Sequence, residues 1–339
     1  MPNREGKHKP RNMAEQARRL LALFTPEDRV LITIAADPDA MGAALAFKRL
    51  LWRRVAGVTI ARVNEITRPD NLAMIRLLHI PLEPLNSLRP EDFSKRVMVD
   101  SQPHHSKGFA GVHQHVIIDH HPVGEGGDRA LFVDIRPRYG ATSSIMSEYL
   151  RAAGIKPSTR LATALVYGIK NDTAGFQRPA LAEDVAALQF LFPKTNQAIL
   201  RNIEFSEMRL KDLEMLRQAL GLYQVRRHGI FVHLGLCQSP DNLVQIADFF
   251  LKVDSVDFTA ASGVYRDNLV IVMRNVGLRS NAGTLAQKAF GELGPAGGHK
   301  AMARAELPLI KLKERLGKLD DAKLRDFVMQ SLLHPDKKR

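Results

Sequence analysis

The stretch VLITIAADPDAMG, residues 30–42, decides the architecture. Val30–Ala36 is short, β-branched and almost uniformly apolar, as a strand buried on both faces should be. Two aspartates follow, Asp37 and Asp39, on either side of Pro38. From Ala40 to Val55 apolar residues return at helical spacing (Met41, Ala44, Leu45, Leu51, Val55), with Lys48, Arg49, Arg53 and Arg54 between them. The unit is therefore strand, acidic turn, helix. Shorter versions follow. Val58–Val63 reads as a strand and Asn71–Leu78 as a helix. Arg96–Val99 and Val116–Ile118 read as strands that run directly into Asp100 and Asp119. Ser143–Ala153 and Thr159–Ile169 read as helices. Such alternation predicts an α/β fold, with a parallel sheet flanked by helices. Ligands of such sheets bind beyond the carboxyl ends of the strands, where these aspartates lie.

Residues 180–224 read as mostly helical. A second unit begins near Gly229, with a strand at Ile230–Leu236 and a helix at Asn242–Leu251. An antiparallel pair, Phe258–Val264 with Leu269–Arg274, a helix near Thr284–Phe290, a glycine-rich loop at Gly294–His299 and a final helix at Asp320–Leu333 follow.

Composition narrows the function classes. Among 339 residues, 45% are hydrophobic and 25% charged, which excludes a disordered chain. A single cysteine, Cys237, excludes an internal disulfide framework and a cysteine-based zinc cluster. No apolar run approaches the roughly 18 residues that span a bilayer. The reading is a cytoplasmic protein. The net charge of +13 points to an anionic partner, nucleic acid or nucleotides first.

Four acidic motifs stand in order: Asp37-Pro-Asp39, Val99-Asp100-Ser101, Asp119-His120-His121, and Asn171-Asp172-Thr173. Singly, each has a structural reading. Asp37 or Asp39 caps a helix, Asp100 and Asp172 start turns, and the histidines sit in loops. Together they make an oxygen-and-imidazole donor set, free of thiolate, that suits Mn²⁺. Two divalent ions would relieve the repulsion among the carboxylates and serve a phosphoryl displacement. His104, His105, His113 and His115 share no strand or helix spacing and read as an exposed polar loop. Tyr139–Ser143 offers hydroxyls that read as helix caps, with a substrate phosphate at that helix N-terminus as the functional alternative. Trp52, placed on the first long helix, reads as packing.

These motifs resemble the DHH phosphoesterase superfamily, named for the tripeptide that stands here as Asp119-His120-His121. Gly297-Gly298-His299, followed by Ala301 and Ala303, resembles the glycine-rich loop of its associated substrate domain, and Arg274 matches that domain's strand-end arginine. The resemblance implies an N-terminal catalytic domain over residues 15–192, a basic flexible arm before it (1–14), a helical linker (193–228) and a smaller α/β substrate-binding domain (229–339). It implies that Asp37 binds one metal and Asp39 a second, with Asp100 and Asp172 touching both. His120 would ligate the second metal, His121 would face the substrate phosphate, and Asp119 would orient a ligand. Arg274, Gly297, Gly298 and His299 would hold the nucleotide. The two ions would be Mn²⁺, with Mg²⁺ the second choice, in a two-metal mechanism with a metal-activated hydroxide.

The short two-domain form is similar to bacterial enzymes that degrade very short RNA and act on 3′-phosphoadenosine 5′-phosphate (pAp). The partners implied are short single-stranded RNA or a nucleotide, no membrane, and room for a homodimer. A cyclic- or linear-dinucleotide phosphodiesterase is the alternative within the same chemistry. A non-catalytic nucleotide-binding module is the alternative outside it, because Thr33 stands where many short-form members carry a histidine ligand. Ala296 and Arg304 also replace usual glycines of the loop.

Overall fold

Val30, Leu31, Ile32 and Ile34 have no exposed surface, so the first strand is covered on both faces, as its composition requires. The computed structural model describes residues 12–109, 113–124, 130–206, 208–210, 212–276 and 281–335. The chain divides into two units, Met1–Glu207 and Met208–Arg339.

In the first unit, helix α1 (Met13–Leu21) precedes β1 (Arg29–Ile34), α2 (Pro38–Leu50), β2 (Gly57–Arg62) and α3 (Pro69–Leu77). Strands β3 (Glu83–Pro84), β4 (Lys95–Val99), β5 (Val116–Asp119) and β6 (Phe132–Ile135) follow, then helices α4 (Thr142–Ala152), α5 (Thr159–Asp172), α6 (Ala182–Leu191) and α7 (Gln197–Glu204). The sheet runs β3-β2-β1-β4-β5-β6, every pair parallel. The chain winds outward from β1 to one edge, then returns beside β1 as β4 and winds to the other. The β1/β4 boundary is therefore the switch point at which an open α/β sheet leaves a crevice. Asp37 and Asp100 follow those two strands.

The second unit contains α8 (Asp212–Leu222), β7 (Gln224–Arg226), β8 (Gly229–Leu236), α9 (Pro240–Leu251), β9 (Phe258–Tyr265), β10 (Asn268–Asn275), α10 (Ala282–Phe290), β11 (Ala296–Gly298), β12 (Met302–Pro308), α11 (Leu309–Leu316) and α12 (Asp321–Leu333). Its sheet runs β11-β12-β10-β9-β8-β7, antiparallel except between β8 and β9.

The α/β architecture is the one the sequence predicts. Several elements differ. The first long helix ends at Leu50, so Trp52 lies in the following turn and is 61% exposed rather than packed. The glycine-rich segment is not a loop, because Ala296–Gly298 pairs with Ala303–Ala305 as an edge strand. Gly298 has φ +150°, and a Cβ there would meet the Met302 carbonyl at 2.3 Å, so glycine is required. Residues 1–11 of the basic arm lie outside the described residues, and Met13 and Ala14 open α1. Among the described residues, no helix is long and apolar enough to cross a membrane.

Candidate metal centre

The carboxyl ends of β1, β4 and β5 bring four acidic motif residues and two histidines to one crevice, and the end of α5 adds Asp172. Asp37 is the N-cap of α2, and its Oδ1 accepts the Ala40 amide at 2.9 Å. The helix-capping reading is thus correct for Asp37, and it leaves the second oxygen for other partners. Asp39 lies in the first turn of α2 and has no exposed surface. Its two oxygens accept the amides of Thr142 (2.6 Å) and Ser143 (2.8 Å). Those are orphan N–H groups at the start of α4, where a negative charge is favoured. Ala141, the N-cap residue, makes no side-chain cap bond. The N-terminus read as a candidate phosphate site is therefore occupied by a carboxylate of the same chain.

Asp100 leaves β4 with φ +57°, a left-handed conformation unusual outside glycine. Its backbone N–H donates to the Ile118 carbonyl at 2.9 Å, and its Oδ1 accepts the Thr142 hydroxyl at 2.7 Å. The strain and the two bonds fix this carboxylate in the crevice. Asp172 is not at a strand end. It is the last residue of α5, and it approaches the crevice because α5 packs closely on α2. A Cβ at Gly168 would stand 2.7 Å from Ser143 Oγ and 2.9 Å from Asp39 Cα.

His120 joins these groups. Its Nδ1 lies 3.1 Å from the Tyr139 carbonyl, which accepts the Nδ1 proton and fixes the tautomer. In the neutral ring Nε2 is then a buried lone pair. It stands 3.2 Å from Asp172 Oδ2 and 3.6 Å from Asp100 Oδ1, with no hydrogen-bond partner. Donor atoms of Asp39, His120 and Asp172 lie within 4.8 Å of one another, as do those of Asp100, His120 and His121. Asp37 belongs to neither set, although Asp172 and Asp39 are close enough to repel its charge.

The electrostatics are those of a crowded anionic site. Burial, then repulsion from Asp172 and Asp39, pushes the Asp37 carboxyl up to about 7. Burial and Asp172 push Asp39 up to about 6, against the pull of His120. Burial, Asp39 and Asp37 lift Asp100 well above the usual carboxylate range. Burial would lower the His120 imidazole, but Asp172 and Asp39 outweigh it and raise it to about 9. Repelling carboxylates around an unpartnered imidazole lone pair fit divalent cations, and oxygen and nitrogen donors without thiolate suit Mn²⁺ or Mg²⁺.

Asp119 differs from the other acids. Its Oδ1 accepts His121 Nδ1–H (2.8 Å) and the His120 amide (2.8 Å), and its Oδ2 accepts Gln102 Nε2–H (2.6 Å). Burial would raise its pKa, but the bonds from His121 and Gln102 hold it below the usual range. Its oxygens are occupied by donors, and they hold the His121 ring and the His120 backbone.

Thr33 adds nothing to the donor set. It is buried within β1 and its hydroxyl donates to the Val97 carbonyl at 3.3 Å. Arg274, Gly297, Gly298 and His299 lie in the second unit. Arg274 Nε donates to Asp248 at 2.7 Å, and the His299 amide donates to the Met302 carbonyl at 2.7 Å.

Four supporting groups were not legible in the sequence. Thr142 reads as a cap and instead holds Asp100. Gln102, fully buried, ties Asp119 to the Pro122 carbonyl and the Gly124 amide. Asp184 accepts the Gly140 and Leu181 amides, bracing the segment before α4. Arg136 is bonded to both Asp134 and Glu148 and also meets the Tyr139 hydroxyl, and so fixes the turn whose carbonyl orients His120. No local pattern marks them, because the contacts that matter to the site, such as Gln102 to Asp119 and Asp184 to Gly140, span 17 and 44 residues. The four loop histidines divide into two pairs. His115 Nδ1 accepts the Arg96 amide at 3.1 Å, a structural bond, whereas the His105 ring stands 5.1 Å from that of His121.

Residues 29–169 match the family described as "DHH family, N-terminal domain". An uncharacterized protein of Methanocaldococcus jannaschii is 33% identical over 307 residues, which cover 89% of this chain and 63% of that one. This chain thus spans less than two thirds of that relative's length. An exopolyphosphatase-related protein from Bacteroides fragilis has a similar fold, with a TM-score of 0.74 and 15% identity over 97% of this chain and 98% of that one. The exonuclease RecJ bound to manganese is a more distant match, with a TM-score of 0.51 and 15% identity over 97% and 95% of the chains.

Proposed function

From the premise that residues 29–169 form a DHH-family domain, we propose that the chain is a divalent-metal phosphoesterase that hydrolyses very short RNA, and pAp as a second substrate, to mononucleotides. One observation carries the reading above the others. The buried His120 Nε2, turned inward because Nδ1 bonds the Tyr139 carbonyl, faces the carboxylates of Asp172 at 3.2 Å and Asp100 at 3.6 Å.

In this reading Asp37, Asp39, Asp100, His120 and Asp172 would hold two divalent ions, Asp37 on one side of the crevice and Asp39 with His120 on the other, with Asp100 and Asp172 available to both. When bound, such ions supply Lewis acidity and neutralise the charge that develops at phosphorus. The chain's own groups do the rest. The α4 amides keep Asp39 in place, Thr142 keeps Asp100 in place, and the Tyr139 carbonyl holds Nδ1–H of His120, so that Nε2 is the nitrogen that would lose its proton to an ion. His121 donates Nδ1–H to Asp119, which fixes its ring at the mouth of the crevice beside His120. Arg274, Gly297, Gly298 and His299 are the proposed nucleotide contacts of residues 229–339. The net charge of +13 supports an anionic polymer or nucleotide as substrate.

The test is hydrolysis of a 5′-labelled RNA series, dinucleotide through pentanucleotide, with pAp alongside, in Mn²⁺, in Mg²⁺ and in chelator. The reading expects mononucleotide release in metal and none in chelator, with Mn²⁺ the better ion. Metal-dependent turnover confined to a cyclic or linear dinucleotide would replace the substrate and keep the chemistry. No turnover on any of them, with nucleotide bound at full occupancy, would overturn the reading in favour of a binding module. The buried, committed hydroxyl of Thr33 is the observation on that side.

A further inference from the structure

His105 lies outside the matched motifs and outside the donor sets that include Asp39, Asp100 and Asp172. Three observations give it a function. First, its ring continues a row of imidazoles. The centroids of His120 and His121 are 4.4 Å apart, those of His121 and His105 5.1 Å, and those of His105 and His104 4.3 Å. The row runs outward, from the His120 side chain at 13% exposure through His121 at 42% to the exposed His105. Second, the tautomer of His105 is fixed. Its Nδ1 accepts the Gln102 amide at 3.2 Å, so in the neutral ring the proton sits on Nε2, and Nε2–H is a donor. Third, the loop that carries it is anchored. The buried Gln102 side chain donates to Asp119 and to the Pro122 carbonyl, and accepts the Gly124 amide, tying residues 102–105 to the DHH loop.

A metal reading for this group fails on its carboxylate. Donor atoms of His105, Asp119 and His121 do lie within 4.8 Å of one another. Asp119, however, already accepts from His121, His120 and Gln102, and His105 Nδ1 already accepts the Gln102 amide, so an ion here would have to displace hydrogen bonds from both. An N–H donor beside His121, at the open end of the metal crevice, suits an anionic oxygen instead.

We propose that His105 is a substrate-contacting residue whose Nε2–H binds a second phosphate of the substrate, one step out from the phosphate that is cleaved. The proposal rests on the phosphoesterase reading above for which phosphate is cleaved. The ligand class is a phosphoester with a neighbouring phosphate, either a terminal one or the next along a nucleotide backbone. His105 thereby favours phosphorylated over unphosphorylated short substrates.

Two variants separate the two ring nitrogens. His105→Asn keeps an acceptor near Nδ1 for the Gln102 amide and removes the outer donor. His105→Gln keeps a donor near Nε2. The assay is kcat and KM for a 5′-phosphorylated and an unphosphorylated RNA dinucleotide in Mn²⁺. The expectation is that His105→Asn raises KM for the phosphorylated substrate about tenfold, the scale of one charge-assisted hydrogen bond, with kcat and the unphosphorylated substrate little changed. His105→Gln restores most of the loss. Equal kinetics for His105→Asn and wild type on the phosphorylated substrate would overturn the proposal, as would an equal loss on both substrates. If wild type turns over neither substrate, the phosphoesterase reading fails by itself. Calorimetry of pAp with Ca²⁺ then decides on His105, through a tenfold weaker Kd in His105→Asn or none.

Discussion

The buried acids of this site oppose the stability of the metal-free protein. Asp37 titrates near 7 and Asp39 near 6, far above the usual ~3.9 of an unfolded aspartate. A carboxyl with a raised folded pKa stabilises while protonated, and that contribution disappears as pH rises through the folded value. His120, raised to about 9, acts in the same direction, because its charged form is favoured only in the folded protein. Melting of the protein in chelator is therefore expected to fall in temperature from about pH 5 to pH 9. Excess Mn²⁺ should shrink the fall, since ion binding needs the deprotonated carboxylates. A chelator profile that rises over that window would contradict these assignments. Asp100→Asn follows the same logic. It removes a repelling charge at a strained position and should raise the melting temperature in chelator. It should also lower kcat by about a thousandfold or more, because an ion ligand that supports several kcal/mol of charge stabilisation is lost. Loss of activity together with loss of the fold would contradict this account.

At the level of elements, the site is held by contacts between helices far apart in sequence. Gly168 of α5 lies against Asp39 of α2 and Ser143 of α4, so Gly168→Ala forces a Cβ to within 3 Å of both. The variant is expected to weaken metal affinity about tenfold or more while far-UV circular dichroism stays unchanged, because a shift of Asp39 disturbs a site that needs exact placement. Isothermal titration with Mn²⁺ checks it. Behind His120, Arg136 pairs with both Asp134 and Glu148. Arg136→Met removes the counter-charge of buried Asp134 and half-buried Glu148, which keep tyrosine hydroxyls as partners, and should cost about 3–5 kcal/mol in a urea unfolding curve. A cost below about 1 kcal/mol would place these acids in solvent rather than in the interior.

How much of this the sequence disclosed follows from what is local. Strands β1, β4 and β5 were legible because they are apolar runs that end at aspartates, and α2 because its period is unmistakable. β6 and α1 were not, being short or followed by no acid. Asp37 was legible as a cap, because an N-cap bonds three residues away. Asp39 as the cap of α4 was not, because its partners are 103 and 104 residues distant. Gln102 and Arg136 carry no signal in isolation, since a glutamine before a proline and an arginine after a strand are ordinary surface choices. Asp172 was placed in a turn, but α5 runs three residues further, to the crevice itself.

At the scale of the molecule, the all-parallel sheet opens at the β1/β4 boundary, and Asp37 and Asp100, whose roles are proposed here, follow its two strands. The net charge of +13 bears on the partner rather than on the fold. If it is used to gather RNA, KM for an RNA pentanucleotide should rise several-fold between about 50 and 200 mM salt, and more steeply than KM for pAp, because more phosphates are neutralised. Equal salt dependence for the two would assign the charge to the general surface.

The central claim is that one crevice holds two catalytic divalent ions. The most direct measurement is a Mn²⁺ titration of metal-stripped protein, reading ions bound per chain by calorimetry and phosphodiester hydrolysis in the same samples. Two ions per chain are expected, with hydrolysis appearing only as the second site fills, and with Asp100→Asn failing at both. Full activity with one ion per chain, or two ions bound without hydrolysis of any short RNA or nucleotide, would contradict it.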